Sequence, residues 1–353
     1  MRPNAGCPSQ GDRAAVAIVG VASTASRHPV IHTDPRRTAR DPSQIMPDRR
    51  TNLGALTHNI TDEMLRVMGL PPRSRIRLLL RPILWPPASR FAELAASFDR
   101  KVAEEDLRAA ARMVLARMNA ALQVHGAEYV PADGPLLIAS NHPGTVDGLA
   151  IMATIPRRDL KVVATGIPFT QGLPRTSQHL IYVPREGQGR LNVVRAAIRH
   201  LRQGGALLLF PGGNVEPDPA IASGAEEALG RWSPSIGHIL RAVPQTKVLL
   251  GVISGVVSKE VLQSPLSHLV PEDKERQKLA EFLQVAQQML FPWSIHLFPR
   301  LTFAPPFTVQ DTARSLEPRR LTDGIIVRAR RLLADHVDRR GPGLSLARRA
   351  DRT

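Results

Sequence analysis

Apolar residues recur along the chain in two textures. From Asn52 to Gly69 the spacing predicts a short helix, closed by Gly69 and the pair Pro71–Pro72. Residues 73–87 (RSRIRLLLRPILWPP) interleave four arginines with Ile76, Leu78, Leu79, Leu80, Ile83, Leu84 and Trp85. Two readings stand for them, a membrane-surface segment or a hairpin or helix packed on the domain, and Pro82 argues against one continuous helix there. From Ser89 to Val124, apolar positions such as Phe91, Leu94, Phe98, Val102, Leu107, Val114 and Met118 recur mostly at three- and four-residue steps. That is a long helical pattern, with room for a break, ending near Gly126.

The texture changes at Pro131. Short apolar runs at 135–140, 161–166, 179–184, 206–210 and 247–257 alternate with helical stretches at 147–155, 190–203 and 223–241. A further helix is predicted over 271–290, a strand pair over 294–304 and a closing basic helix over 321–337. Strand–helix alternation means an α/β sheet, with ligands expected at strand ends. The resulting division is a disordered basic tail (1–50), an N-terminal helical region (51–124), the main domain (125–310) and a C-terminal basic helix and tail (311–353). The first segment lacks periodicity and is rich in Pro, Ser, Arg and Asp.

Composition narrows the function classes. The 353 residues carry a net charge of +16. Residues 1–50 hold +4 and residues 312–353 hold +6, so the main domain is only mildly basic. Nucleic acid, anionic lipid and an acidic carrier protein are all compatible with that excess. No helix-turn-helix, zinc-finger or aromatic RNA-binding signature accompanies it, and aromatics are 4% of residues, which argues against nucleic acid. The one cysteine, Cys7, provides neither a disulfide frame nor a zinc module and fits a reducing compartment. No HExxH or comparable ligand cluster is found among the histidines, so no metal is expected. No apolar run reaches the ~18 residues of a membrane span. The nine-residue run 14–22 is read as part of an unstructured leader rather than a signal peptide.

Three strand-end loops hold the candidate chemistry. In SNHPGTVDG (140–148), His142 and Asp147 sit within one loop and helix start. A turn there would let the carboxylate fix the imidazole tautomer, leaving the second ring nitrogen to take a proton from a hydroxyl. In HLIYVPREGQGR (179–190), Arg185 just past a strand end suits phosphate, or a salt bridge to Glu186. In ALLLFPGGNVEPD (206–218), Pro211, Gly212 and Gly213 permit close approach of a ligand to the backbone, and Glu216 follows. Taken singly, each loop also has a plain structural reading as cap or turn.

In this order and spacing the three loops resemble the glycerolipid acyltransferase family, the lysophospholipid acyltransferase-like proteins. His142-Pro143-Gly144-Thr145-Val146-Asp147 matches that family's first motif, with Asn141 before it. Tyr182-Val183-Pro184-Arg185 resembles the second, and Phe210-Pro211-Gly212-Gly213 the third. The likeness covers roughly residues 125–260. Two departures stand out: His179 replaces a usual Gly, and Gly212 replaces the third motif's Glu. The form Pro211-Gly212-Gly213-x-x-Glu216 is similar to a variant found in acyltransferases of diacylglycerol and phytyl-ester synthesis. It puts a phosphorylated acceptor in doubt and makes Glu216 the candidate for the polar role. The fourth motif is represented at best by Val248 to Val257, without its proline.

The resemblance implies a mixed α/β sheet flanked by helices, of the glycerol-3-phosphate acyltransferase-like kind. It implies transfer of a fatty acyl group from a coenzyme A or acyl carrier protein thioester to a lipid hydroxyl, in glycerolipid or phospholipid metabolism. His142 would be the general base and Asp147 its orienter. Asn141, Thr145, Arg185, Pro211, Gly212, Gly213 and Glu216 would contact or shape the substrates. It implies no cofactor beyond the thioester co-substrate, and a cytoplasmic protein peripheral to the inner face of the membrane. Three rival readings are a catalytically inactive lipid-binding relative, a thioester hydrolase and a basic nucleic-acid-binding protein. The hydrolase lacks a Gly-x-Ser-x-Gly elbow, since Gly251-Val-Ile-Ser254-Gly255 has the wrong spacing.

Overall fold

The computed structural model describes residues 51–184, 189–269, 273–312 and 317–339. The expected basic tail 1–50, Arg185 and the end of the chain lie outside them. The elements run α1 (Leu53–Val67), α2 (Ile76–Glu104), α3 (Leu107–Arg117), β1 (Gln123–His125), β2 (Leu136–Ser140), α4 (Thr145–Thr154), β3 (Lys161–Thr165), α5 (Pro168–Gln171), β4 (Leu180–Val183) and α6 (Arg190–Arg202). They continue β5 (Ala206–Leu209), α7 (Ala225–Leu229), α8 (Ser235–Ala242), β6 (Lys247–Ser254), α9 (Lys259–Leu262), α10 (Asp273–Leu290), β7 (Arg300–Phe303), β8 (Phe307–Thr308), α11 (Val309–Thr312) and α12 (Pro318–Asp338).

The sheet is mixed and flanked by helices, in the order β1-β7-β6-β2-β5-β3-β4, with β8 paired to β6. Strands β4, β3, β5, β2 and β6 are mutually parallel, whereas β7 and β8 run antiparallel to β6. The central strands are apolar throughout because both faces are covered. Alternation assigns Leu136 and Ile138 of β2 to one core, with α3, α4, α10 and the second half of α2. Leu137 and Ala139 join the other, with α6, α8 and α12. Helix α12 thus builds the second core layer and is no appendage. A third cluster packs Leu56, Ile60 and Met64 of α1 against Ala88, Ala92 and Ala95 of α2.

Several elements differ from the sequence expectation, each for a physical reason. Helix α2 is continuous from Ile76, with Pro82, Pro86 and Pro87 inside it. Proline removes an N–H and frees a carbonyl four residues earlier. Here the freed carbonyls belong to Leu78, Pro82 and Ile83, all exposed residues, where water can satisfy them. The predicted helix over 89–124 is divided at Glu105, where Asp106 caps α3 by accepting from Ala109 N (2.7 Å). It stops at Arg117, and β1 pairs in parallel with β7, so the sheet begins just ahead of residue 125. The stretch 223–241 is two helices, interrupted at Gly230–Pro234. The expected strand pair over 294–304 is a single strand, β7, plus an isolated bridge from Leu297 to Ala120.

Two buried polar clips tie the layers together. Asp99 of α2 accepts from Arg175 N (3.0 Å), Thr176 N (2.7 Å) and Thr176 Oγ1 (2.8 Å), fixing the segment that leads into β4. His336 of α12 bridges Ser254 Oγ on β6 and Thr302 Oγ1 on β7, each at 2.8 Å.

Candidate active site

The candidate residues converge where β2 ends, flanked in the sheet by β6 and β5. Asn141 extends the ladder with its side chain: Nδ2 donates to Ile253 O and Oδ1 accepts from Ile253 N, both at 2.8 Å. This locks the chain just as it turns out of the sheet and presents His142. Asp147 lies in the first turn of α4 and accepts from Gly144 N at 2.8 Å, a helix-capping contact. The same oxygen, Oδ2, meets His142 Nδ1 at 2.8 Å. A carboxylate only accepts, so Nδ1 carries the proton and Nε2 presents its lone pair. The four-residue spacing therefore has a local cause: one carboxylate both caps the helix and orients the ring.

His142 is 1% exposed and its ring rests against Phe210, with centroids 4.6 Å apart. Among the described residues, Nε2 has no hydrogen-bond partner, and neither does Asp147 Oδ1. The imidazole lines a cavity of about 110 Å³ whose walls are largely apolar: Ile60, Met64 and Val67 of α1, Phe91 of α2, and Phe282 and Val285 of α10. An unpaired buried nitrogen beside an apolar cavity is the geometry of a group kept for a substrate.

Three carboxyl groups surround the ring. Besides Asp147, Glu216 Oε2 accepts from His142 N (3.2 Å), and Glu216 Oε1 accepts from Trp232 Nε1 (3.0 Å). Glu281 of α10 accepts from both Thr145 N and Thr145 Oγ1. Burial pushes Glu216 up to about 7, against the opposing effect of its N–H donors and of His142. Glu281 is raised by burial as well. Burial pulls His142 down, but the charge and hydrogen bond of Asp147, with Glu281 and Glu216 behind it, outweigh this and leave His142 above its ordinary value.

The third loop supports the first. Gly212 leaves the space that Glu216 fills, since a Cβ there would lie 1.8 Å from Glu216 Oε1. Gly213 takes a left-handed φ of +68°. Glu216 is 5% exposed and points inward to the His142 backbone. Neither it nor Pro211, Gly212 or Gly213 lines the apolar cavity, whereas Thr145 does. In the structure Glu216 supports the His142 loop from behind, through the space that Gly212 leaves.

Sequence reasoning missed the contribution of α10. Gln277 donates to Pro143 O and Glu216 O, both at 2.8 Å, cross-linking the two loops. Asp218, missed too, accepts from Gly255 N and Val256 N at 2.9 Å each, tying the third loop to the end of β6. Among the described residues, no group of His, Cys, Asp and Glu has the arrangement to hold a metal ion.

Residues 121–253 match the Acyltransferase family model. This part of the chain is similar to that family. The matched stretch contains β1 through nearly all of β6, and with them His142, Asp147 and Glu216. The site draws on elements beyond the match, since α10 supplies Glu281 and Gln277. Among solved structures, the chain is similar to the 1-acyl-sn-glycerophosphate (LPA) acyltransferase PlsC from Thermotoga maritima. That similarity is 16% identity over 79% of this chain and 96% of that one, with a TM-score of 0.35. A search of curated proteins finds no match.

Proposed function

We propose that the protein transfers a fatty acyl group from a thioester to a lipid hydroxyl, with His142 as general base. The observation that carries this reading is the buried, unpartnered His142 Nε2 facing an apolar cavity while Asp147 holds Nδ1. In the reaction, Nε2 takes the proton of the acceptor hydroxyl as its oxygen attacks the thioester carbonyl. The tetrahedral intermediate collapses, the carbon–sulfur bond breaks, and the imidazolium returns the proton to the departing thiolate. The products are an ester and a free thiol. Asp147 stabilises the imidazolium without leaving its capping position. Thr145, Asn141 and Glu216 position the loop, and Arg185, outside the described residues, is assigned to phosphate on the strength of the resemblance alone.

The apolar lining suits an acyl chain, and the surface beside it suits a lipid interface. The first half of α2 exposes Ile76, Leu78, Leu79 and Ile83 at 53–72%. Arg73, Arg75, Arg77 and Arg81 lie among them. Apolar side chains flanked by arginines match the boundary between acyl chains and anionic headgroups. Among the described residues no helix is long and apolar enough to cross a membrane. The protein is thus read as acting from the membrane surface, at the cytoplasmic face.

The test is incubation of purified protein with labelled acyl-CoA and a membrane lipid extract, followed by mass spectrometry of the lipids. A new acyl ester is expected with wild type and a loss of about 10²–10⁴-fold with His142→Ala, at unchanged thermal stability. Undiminished transfer by that variant removes His142 from the mechanism. Thioester cleavage equally fast without lipid would make the protein a hydrolase instead.

A further inference from the structure

Besides His142, the polar residues lining the apolar cavity are Glu63, Thr145, Lys278 and Glu281. Most of them are committed. Glu63 pairs with Arg66, and Lys278 pairs with Glu275 at 2.7 Å. Thr145 gives both its N–H and its hydroxyl proton to one oxygen of Glu281, Oε1. That leaves His142 Nε2 and the second oxygen of Glu281, Oε2, without hydrogen-bond partners among the described residues. The Glu281 carboxyl lies against the His142 loop. A Cβ at Gly144 would be 3.1 Å from its Oε1 and 3.4 Å from its Oε2.

Holding Thr145 does not explain a carboxyl at this position. Its neighbours in the same row of α10 are amides: Gln277, Gln284 and Gln288 fasten backbone groups of Pro143, Val256 and Met118. An amide oxygen at 281 would accept from Thr145 as Oε1 does, without the cost of burying a charge. Burial raises the Glu281 carboxyl, the mark of that cost.

We propose that Glu281 selects the acceptor: its Oε2 takes the hydrogen bond of a hydroxyl adjacent to the one that His142 Nε2 deprotonates. The proposal rests on the acyl-transfer reading and adds that the acceptor head carries two neighbouring hydroxyls. An ionised carboxylate accepts from such a hydroxyl and a protonated carboxyl can also donate to it, so the pairing holds in either state. Glu281 lies beyond the matched residues 121–253, on the helix that closes the cavity opposite α1.

The experiment uses the full chain and its Glu281→Gln and Glu281→Met variants, each checked by thermal melting. Gln keeps an oxygen for Thr145, so it preserves the loop if Met does not. The acceptors are octylglycerol and its two monodeoxy analogues, each of which keeps one of the two hydroxyls, with labelled palmitoyl-CoA as donor. Wild type is expected to favour octylglycerol over the better analogue by about 10-fold or more in kcat/KM. That ratio should fall several-fold in Glu281→Gln, where a neutral hydrogen bond replaces a charge-assisted one, and approach one in Glu281→Met. Transfer to all three acceptors without preference, or a preference unchanged in both variants, would overturn the proposal and leave the reaction standing. So would an equal loss on every acceptor, which marks a merely structural role or a contact with the donor. Isothermal titration of octylglycerol and the analogues, without thioester, reads the same preference as affinity. A Glu281-dependent preference in binding, with no acyl transfer to any acceptor, would keep the hydroxyl site and sink the proposed reaction.

Discussion

At the scale of single residues, the proposed chemistry turns on how Asp147 acts on His142. The buried imidazole is held above its ordinary value of 6.5 although burial opposes it. A general base works in its neutral form, so transfer at saturating donor is expected to rise with pH through an apparent pKa above 6.5. Asp147→Asn keeps the shape but removes the charge that supports the imidazolium and loosens the tautomer. Its kcat is expected to fall by about 10²-fold or more, and the rising limb to move to lower pH. A pH–rate profile of the two proteins checks both parts, and an unmoved limb would detach Asp147 from the titrating group.

The same neighbourhood carries a stability signature. Glu216, Glu281 and Asp218 are raised by burial, and His142 is raised by its acidic neighbours. A group with a folded pKa above its unfolded one binds more protons in the native state between the two values. The stability it contributes is present below the unfolded value and lost as pH rises through the folded one. For Glu216 that window runs from 4.5 to about 7. All four shifts have the same sign, so the melting temperature is expected to be higher at pH 5 than at pH 8. Differential scanning calorimetry at those two pH values decides it, a rise with pH contradicting the assignment.

At the scale of elements, close packing sets the next prediction. Gly237 of α8 faces the start of α12, where an added Cβ would lie 1.9 Å from Pro318 O and 2.7 Å from Thr322 Oγ1. A backbone oxygen cannot swing aside, so Gly237→Ala must separate the helices. A cost of about 1–3 kcal/mol is expected, seen as a drop of a few degrees in melting temperature. The strands and the His142–Asp147 pair were legible in the sequence because they are local: a buried apolar run, then a carboxylate one helical turn into α4. What was not legible depends on distant partners. Pro82, Pro86 and Pro87 look like breakers until their freed carbonyls are found on the exposed half of α2. Glu281 contacts Thr145 across 136 positions. One signal did exist. Gln277, Glu281, Gln284 and Gln288 recur at steps of four, three and four, a polar stripe on the inward side of α10. Gln277, Gln284 and Gln288 are at most 4% exposed, and their amides satisfy backbone groups of Pro143, Val256 and Met118. Polar residues at helical core spacing could have been read as supports for loops, a pattern easily mistaken for a solvated face.

At the scale of the whole molecule, the exposed apolar surface is shared by two parts of the chain. Arg90 of α2 donates to Met289 O (3.0 Å) and Leu290 O (2.8 Å), placing the loop after α10 beside α2. That loop exposes Phe291 at 64% and Trp293 at 75%, values that core aromatics do not show. An apolar helix face with arginines, next to an exposed Trp and Phe, has the composition of a membrane-interface contact. Ile60, Met64 and Val67 of α1 and Phe91 of α2 line the His142 cavity, so the helix pair that carries this surface also borders the candidate site. Full-length protein is therefore expected to co-sediment with vesicles containing anionic lipid. Basic segments alone would release at high salt, because their attraction is screened within about 8–10 Å. Contact through the apolar face should persist, and Leu79→Glu/Ile83→Glu should abolish the salt-resistant fraction. Tryptophan emission should shift to the blue on binding, reported by Trp293 and by Trp85 on α2, since Trp232 is already 3% exposed, and Trp293→Phe should remove the Trp293 part of that shift. Salt-sensitive binding that neither variant alters would assign membrane attraction to charge alone and remove the α1–α2 face from membrane contact.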